Sequence, residues 1–169
     1  MMINIASVSF YFDQVEDRIR LIGNLDNSEP RADFWLTRRL VIRLLDLAME
    51  LIQKTSSNVS QAPTEHKGAM AQFEHDQAQK APEAVIAKQE DHSEYHADIL
   101  RRMDISFKDG RYRLSFFTHE TDDAVAVSTL SYEELHQTLH WLHRGSQYLE
   151  WGVAPSLFAP EDIAAHRLQ

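Results

Sequence analysis

Nine histidines lie in a chain of 169 residues that contains no cysteine, so histidine is the residue type best suited to bind a soft metal here. Three of them follow the spacing i, i+4, i+7, which places them on one stripe of a helix: His136, His140 and His143. Imidazoles one turn apart can share a zinc or nickel ion. The alternative is a polar flank beside an apolar stripe of leucines with the same spacing, Leu135, Leu139 and Leu142. No neighbouring carboxylate completes a firm metal motif.

A second histidine pair, His92 and His96, also has the i, i+4 spacing. The acidic residue between them is Glu94, whereas a zinc protease motif needs it directly after the first histidine. The pattern therefore favours a charged helix face over a metalloprotease site.

Three arginines gather where a helix is expected to begin. Arg38 and Arg39 follow Thr37, and Arg43 lies one turn beyond. Positive charge in the first turn interacts unfavourably with the helix dipole, and a nearby anion can compensate for this. A helix N-terminus with two arginines favours an anion, which is a carboxylate of this chain, a partner's carboxylate or a phosphate. We interpret the three as anion- or partner-binding residues and favour a salt bridge, internal to Asp33, Glu16 or Asp17 or at an interface, over a ligand site.

Two predicted strands carry a pair of arginines each, Arg18 and Arg20 in one and Arg111 and Arg113 in the other. Alternation places both pairs on the face opposite the apolar side chains. Arginines beside strand aromatics can bind single-stranded nucleic acid. The formal net charge of −9 disfavours broad affinity for nucleic acid, because phosphate binding needs a basic surface.

Catalytic motifs are absent from the sequence. It contains no GxGxxG, P-loop or GxSxG pattern, and only five glycines. Without cysteine there is no thiol catalysis and no disulfide. We predict no enzyme activity and no cofactor.

Two segments of the chain share one plan, in which three strands are followed by a helix. Arg18-Ile-Arg-Leu and Leu36-Thr37 in the first segment match Arg111-Tyr-Arg-Leu and Leu130-Ser131 in the second. Asp109-Gly110 predicts a hairpin, and Ser131 with Glu134 predicts a capping box. The pattern indicates an α+β fold in which duplicated βββα units form an antiparallel sheet with both helices packed on one face. Joining within one chain and pairing across a homodimer both remain open.

The remaining segments connect the units, which span residues 1–54 and 101–150. Residues 55–81 are acidic, polar and poor in large apolar side chains, so we predict a flexible linker there. Residues 82–100 begin with Pro82 and then carry a helical pattern, so we predict a connecting helix. Residues 151–169 contain Trp151, Leu157 and Phe158 and are predicted to be a tail that docks on the core.

The stretch from Asp17 to Leu21 followed by Phe34-Trp-Leu-Thr-Arg-Arg-Leu40 resembles a pattern in uncharacterised bacterial proteins, and it covers mainly residues 5–50. That resemblance implies no activity. The repeat plan also resembles, more loosely, the PUR family of single-stranded nucleic-acid binders, whose repeats consist of several strands followed by a helix. No residue roles carry over from it.

These observations predict a non-enzymatic bacterial interaction or regulatory protein that acts through protein contacts, as a homodimer in the cytoplasm. The alternatives are a single-stranded nucleic-acid-binding module and a protein that binds metal through histidine. No apolar run is long enough to span a membrane, so no membrane partner is expected.

Overall fold

The computed structural model describes residues 1–26, 29–82, 92 and 94–158, together with the backbone of residues 85–87. It contains both sheets and helices, which confirms the α+β class. The strands are β1 (Ile3–Asn4), β2 (Val8–Asp13), β3 (Arg18–Gly23), β4 (Ala32–Leu36), β5 (Val85–Ala87), β6 (Asp98–Ile99), β7 (Arg102–Lys108), β8 (Arg111–Phe117) and β9 (Ala126–Leu130). The helices are α1 (Arg38–Thr55), α2 (Ser57–Gln61), α3 (Lys67–Ala78) and α4 (Tyr132–Tyr148), with a 3-10 turn at Thr64–His66.

Each predicted unit is present as an antiparallel three-stranded meander followed by a long helix. Strands β2, β3 and β4 precede α1, and strands β7, β8 and β9 precede α4. Thr37 caps α1, and Ser131 caps α4 with the reciprocal bond to Glu134. The hairpin between β7 and β8 turns at Asp109 and Gly110, both with positive φ.

The units form two sheets, and they exchange a strand. The first sheet has the order β5-β2-β3-β4-β6, and the second has the order β1-β9-β8-β7. Strand β1 precedes the first unit but pairs in parallel with β9 of the second, while β6 precedes the second unit and pairs in parallel with β4 of the first. Apart from β5, each unit therefore has four strands and a long helix, and the units form two sheets rather than the single antiparallel sheet predicted from the sequence.

Equivalent elements of the two units recur at a nearly constant spacing. Strands β3 and β8 begin at Arg18 and Arg111, 93 residues apart, and helices α1 and α4 begin at Arg38 and Tyr132, 94 apart. One hydrophobic core joins the two units. At its centre the ring of Phe34 stacks on that of Phe116, with centroids 5.7 Å apart.

The prediction of a flexible linker at residues 55–81 is wrong, because most of this segment is helical. Ser56 accepts a hydrogen bond from the Val59 amide and donates one to Glu74, which joins α2 to α3. Val59 and Ala71 are fully buried. Small side chains let α3 pack closely on α4, so the segment is ordered by tertiary contact despite its few large apolar residues.

The prediction of a helix over residues 82–100 is also wrong where the structure describes the chain. Val85–Ala87 forms β5 beside β2, and Asp98–Ile99 forms β6 beside β4. The apolar run Val85-Ile86 prefers a strand once a sheet edge is available. Residues 83–84, 88–91 and 93 lie outside the described residues.

The C-terminal segment docks on the core as far as it is described. Trp151, Leu157 and Phe158 are buried, and the indole nitrogen of Trp151 donates to Asp17 at 2.7 Å. The rest of the predicted tail, residues 159–169, lies outside the described residues. Within the described part of the chain, no helix combines the length and apolar character needed to cross a membrane.

Candidate interaction surface

The arginines predicted to bind an anion or a partner lie together at the start of α1. Arg38, Arg39 and Arg43 are exposed, and the first turn of α1 contains no acidic residue. The Thr37 cap fixes this end of the helix by accepting a hydrogen bond from the Leu40 amide. Arg38 donates to the Trp151 carbonyl at 3.2 Å. We call these three residues the arginine surface.

The expected internal salt bridge to the arginine surface is not formed. Within the described ranges, no carboxylate oxygen lies within 4.0 Å of a side-chain nitrogen of Arg38, Arg39 or Arg43. The three acidic residues proposed as partners bind elsewhere: Asp33 to Arg20 and Arg31, Glu16 to Arg18, and Asp17 to Trp151. The arginine charge therefore remains available to a partner.

The arginine surface lines a cleft. A cavity of about 380 Å³ is bounded by Arg38, Arg39, Ile42, Arg43 and Asp46. A second cavity of about 520 Å³ shares Arg38, Ile42 and Asp46 with it and continues over apolar residues of α1 and the C-terminal segment, including Leu45, Met49 and Val153. The arrangement places three arginines and one carboxylate, Asp46, beside an apolar floor, so the rim is polar with an excess of positive charge, as in many protein interfaces.

The predicted nucleic-acid residues do not share one face, because the two arginine pairs lie on different sheets. Arg20 is 4% exposed and donates to Asp33 and to the Tyr95 carbonyl. Arg18 stacks on the ring of Trp35 and pairs with Glu16. The first pair is therefore occupied by contacts within the protein.

Asp33 holds the arginines of the first sheet in place. Its carboxylate accepts hydrogen bonds from Arg20 at 2.8 and 3.1 Å and from Arg31 at 2.7 and 2.9 Å. Burial alone would raise the pKa of Asp33, but the hydrogen bonds from Arg31 and Arg20 outweigh burial and lower it. The guanidinium of Arg31 also lies 3.5 Å from the ring centroid of Tyr95.

The second pair belongs to a larger basic group on the outer face of the second sheet. The register of β7 and β8 places Lys108 opposite Arg111 and Ser106 opposite Arg113. Arg102 lies on the same face, where Asp104 contributes a carboxylate 3.3 Å from it. We call Arg102, Lys108, Arg111 and Arg113 the basic face. Sequence reasoning overlooked Arg102 and Lys108, although the alternation of β7 places both on this side.

The predicted histidine stripe does not converge on one ion. His136 is fully buried, and its Nδ1 shares a hydrogen bond of 2.9 Å with Nδ1 of His75, a residue of the segment predicted to be a linker. His143 donates from Nε2 to the Ala154 carbonyl at 2.7 Å. In the part of the chain that the structure describes, no group of three histidine, aspartate or glutamate residues is placed to hold a metal.

Burial keeps the histidine pair neutral. Desolvation, and then repulsion from neighbouring histidines, lowers the pKa of His75 to about 4. Desolvation, followed by repulsion from His75, lowers the pKa of His136 to about 3. The ring of His140 lies 5.9 Å from that of His75, centroid to centroid, and burial lowers its pKa as well. The arrangement joins α3 to α4 rather than exposing ligands.

Comparison of the chain with protein-family models, with curated proteins and with solved structures gave no match.

Proposed function

We propose that this protein is a non-enzymatic interaction or regulatory protein that acts as a homodimer, and that the arginine surface forms the contact. The observation that carries the proposal is the set of exposed arginines Arg38, Arg39 and Arg43, which have no carboxylate partner among the described residues.

The electrostatics of α1 favour an acidic partner for this surface. Each cation in the first turn opposes the helix dipole at a cost of about 0.3–1 kcal/mol, and the three like charges around one cleft repel one another. An acidic surface that docks there removes both penalties. The chain carries a net charge of −9, so a second copy brings an excess of carboxylates from which such a contact can be made.

Charge reversal at the arginine surface is expected to abolish the dimer. The triple variant Arg38→Glu/Arg39→Glu/Arg43→Glu places carboxylates at the positive end of α1, so folding is retained while the contact becomes repulsive. Light scattering over a range of concentrations should give a dimer for the natural sequence and a monomer for the variant. Raising the salt from ~0.05 M to ~0.5 M should weaken the natural dimer, because exposed charges are screened.

The matched control reverses charge on a different surface. Arg111→Glu/Arg113→Glu changes the basic face and should leave the dimer intact. A natural protein that stays monomeric at high concentration contradicts the homodimer, and a triple variant that still dimerises contradicts the assigned surface.

A second candidate function is binding of single-stranded nucleic acid by the basic face. The observation that favours it is the grouping of four cations on a sheet face that also carries the hydroxyls of Ser106 and Thr129. Two carboxylates lie beside these cations, Asp104 at 3.3 Å from Arg102 and Glu134 at 3.9 Å from Arg111. Phe117 lies under Arg102, whose guanidinium is 3.9 Å from the ring centroid. Such a face binds a phosphate backbone through charge and hydrogen bonds.

Reversing Arg111 and Arg113 is expected to weaken binding of a labelled single-stranded oligonucleotide about tenfold or more at low salt, because neither side chain can then bind a phosphate. Fluorescence anisotropy across a salt series measures both the affinity and the salt slope, which should fall by about 1 for each phosphate that is no longer bound. The arginine-surface triple variant is the control for charge. Absence of binding by the natural protein at low salt removes this candidate.

A further inference from the structure

The two units differ at one edge of their sheets. In the first sheet, β5 adds to the outer edge of β2 as a short parallel strand, with Val8 paired to Val85 and Phe10 paired to Ala87. In the second sheet, β7 is the terminal strand, and no described residue pairs with its outer edge. Because β2 and β7 are equivalent strands, one of two equivalent edges is filled and the other is open.

The register shows where the open position lies. Phe10 of β2 is opposite Leu21, and Ile105 of β7 is opposite Leu114, which is 93 residues after Leu21. Strand β5 covers Val8–Phe10, so the equivalent stretch of β7 is Met103–Ile105.

The helices next to the two edges are also equivalent, α4 next to β2 and α1 next to β7. In the first unit, β5 contacts both the edge of β2 and helix α4. Gln137 of α4 holds the chain that leads into β5, because its side-chain amide donates to the carbonyls of Ala78 and Pro82. In the second unit, helix α1 stands in the place of α4.

A groove occupies this place in the second unit. It has a volume of about 490 Å³ and lies between α1 and the edge of β7, lined by Leu47, Glu50, Leu51, Lys54, Asp104, Ile105 and Ser106. Leu47 is 38% exposed, and Leu51 and Ile105 are only partly buried. Apolar side chains and a strand edge therefore face solvent where the first unit covers them with β5.

We propose that the groove between α1 and β7 binds an extended, apolar segment of a partner protein, which adds to the second sheet as a strand parallel to β7. The main-chain groups of β7 supply the hydrogen bonds, and Leu47, Leu51 and Ile105 receive an apolar side chain. The lining holds two carboxylates, Glu50 and Asp104, against one amine, Lys54, so a segment without acidic residues fits best. This surface is separate from the arginine surface, and the proposal does not depend on the homodimer.

The chain itself supplies the probe, because its own strand shows which sequence the first groove accepts. We expect a synthetic peptide of residues 84–88, Ala-Val-Ile-Ala-Lys, to bind the natural protein with an affinity of about 1 mM or tighter. Amide shifts in a nitrogen-15 NMR titration should be saturable and centred on Met103–Ser106. A spin label at the peptide's N-terminus should broaden amides near Met103, and one at its C-terminus should broaden amides near Phe107, as parallel addition requires.

Two controls distinguish strand addition from non-specific binding of the peptide. A peptide with proline in place of the isoleucine cannot continue the ladder and should bind at least about fivefold more weakly. Leu47→Glu adds a carboxylate to the groove wall at an exposed position and should weaken binding similarly, whereas Val15→Glu, at a position 96% exposed and outside the groove, should not.

Three results would overturn the proposal. They are the absence of saturable shifts at Met103–Ser106, equal binding of the proline peptide, and broadening in the reversed order along β7. The proline comparison uses the natural protein, so it stays decisive if Leu47→Glu does not fold.

Discussion

Replacing Asp33 with alanine is expected to lower the free energy of unfolding by about 3–5 kcal/mol, because it leaves buried positive charge without a partner. The side chains of Asp33 and Arg20 are 4% and 5% exposed, and the single carboxylate binds two guanidinium groups. After its removal, Arg20 retains only the Tyr95 carbonyl as a described partner for its Nη2 atom. Urea denaturation monitored by tryptophan fluorescence measures the change.

The control for this variant lies on the other sheet. Asp104 pairs with Arg102 at 3.3 Å, but their side chains are 54% and 49% exposed. Asp104→Ala should therefore change the stability by no more than about 0.5 kcal/mol. A destabilisation at Asp33 below about 1 kcal/mol would contradict the role assigned to the buried cluster.

Arg20 and Asp33 can also be replaced together. In Arg20→Leu/Asp33→Leu, no lone buried carboxylate or Arg20 guanidinium remains, so the double variant should be more stable than Asp33→Ala alone. Arg31 is 16% exposed and can turn its charge towards water. If the double variant is less stable than the single one, packing rather than charge dominates at this site.

Local signals in the sequence predicted the two units well. The Asp109-Gly110 turn, the Thr37 cap and the Ser131–Glu134 box each depend on a few adjacent residues, and all three are present. The common plan of strands and helix followed from these signals. Because such features are set by local backbone geometry, they can be predicted without knowledge of the rest of the fold.

Pairing between distant segments explains the errors. The strand β5 exists because β2 offers it an edge, and β6 exists because β4 does the same. The sequence of residues 82–100 does not indicate that β2 and β4 are available for pairing. Similarly, α3 is ordered by α4, and its composition alone is that of a disordered segment.

The candidate sites show the same difference between features set by adjacent residues and features set by distant pairing. The grouping of Arg38, Arg39 and Arg43 at a helix start followed from their spacing, whereas the internal salt bridge considered for them is not formed among the described residues. The separation of Arg18 and Arg20 from Arg111 and Arg113 did not, because it depends on which strands share a sheet. Asp33, the residue that occupies Arg20, was considered as a partner for the helix arginines instead, since sequence spacing does not rank competing partners.

Acidification from pH 7 to pH 4.5 is expected to destabilise the protein by about 5 kcal/mol through the pair of His75 and His136 alone. Their side chains are 4% and 0% exposed, and a bond of 2.9 Å joins the two Nδ1 atoms. One ring must donate and the other accept, so the bond needs at least one neutral ring. A second proton would place two cations in contact beside Phe158, whose ring packs on both.

The sign of this pH dependence follows from the pKa values of the two histidines in the folded and unfolded states. In the unfolded chain both histidines have a pKa near 6.5, whereas in the folded protein the pKa falls to about 4 for His75 and to about 3 for His136. Between pH 6.5 and pH 4, the unfolded chain therefore binds protons that the folded protein does not. The contribution of this pair to the free energy of unfolding is fully present above pH 6.5. It falls as the pH decreases towards 4, by about 1.4 kcal/mol per pH unit for each histidine.

Substitution of both residues separates this pair from the ionisable groups that act on it electrostatically, which include Asp76, His140 and His143. His75→Gln/His136→Gln keeps a donor and an acceptor but no titration, so urea denaturation between pH 7 and pH 4.5 should show a flatter pH dependence. His96→Gln/His119→Gln removes two exposed histidines and should preserve the natural slope. If the two double variants give the same slope, the buried pair is not the source of the acid sensitivity.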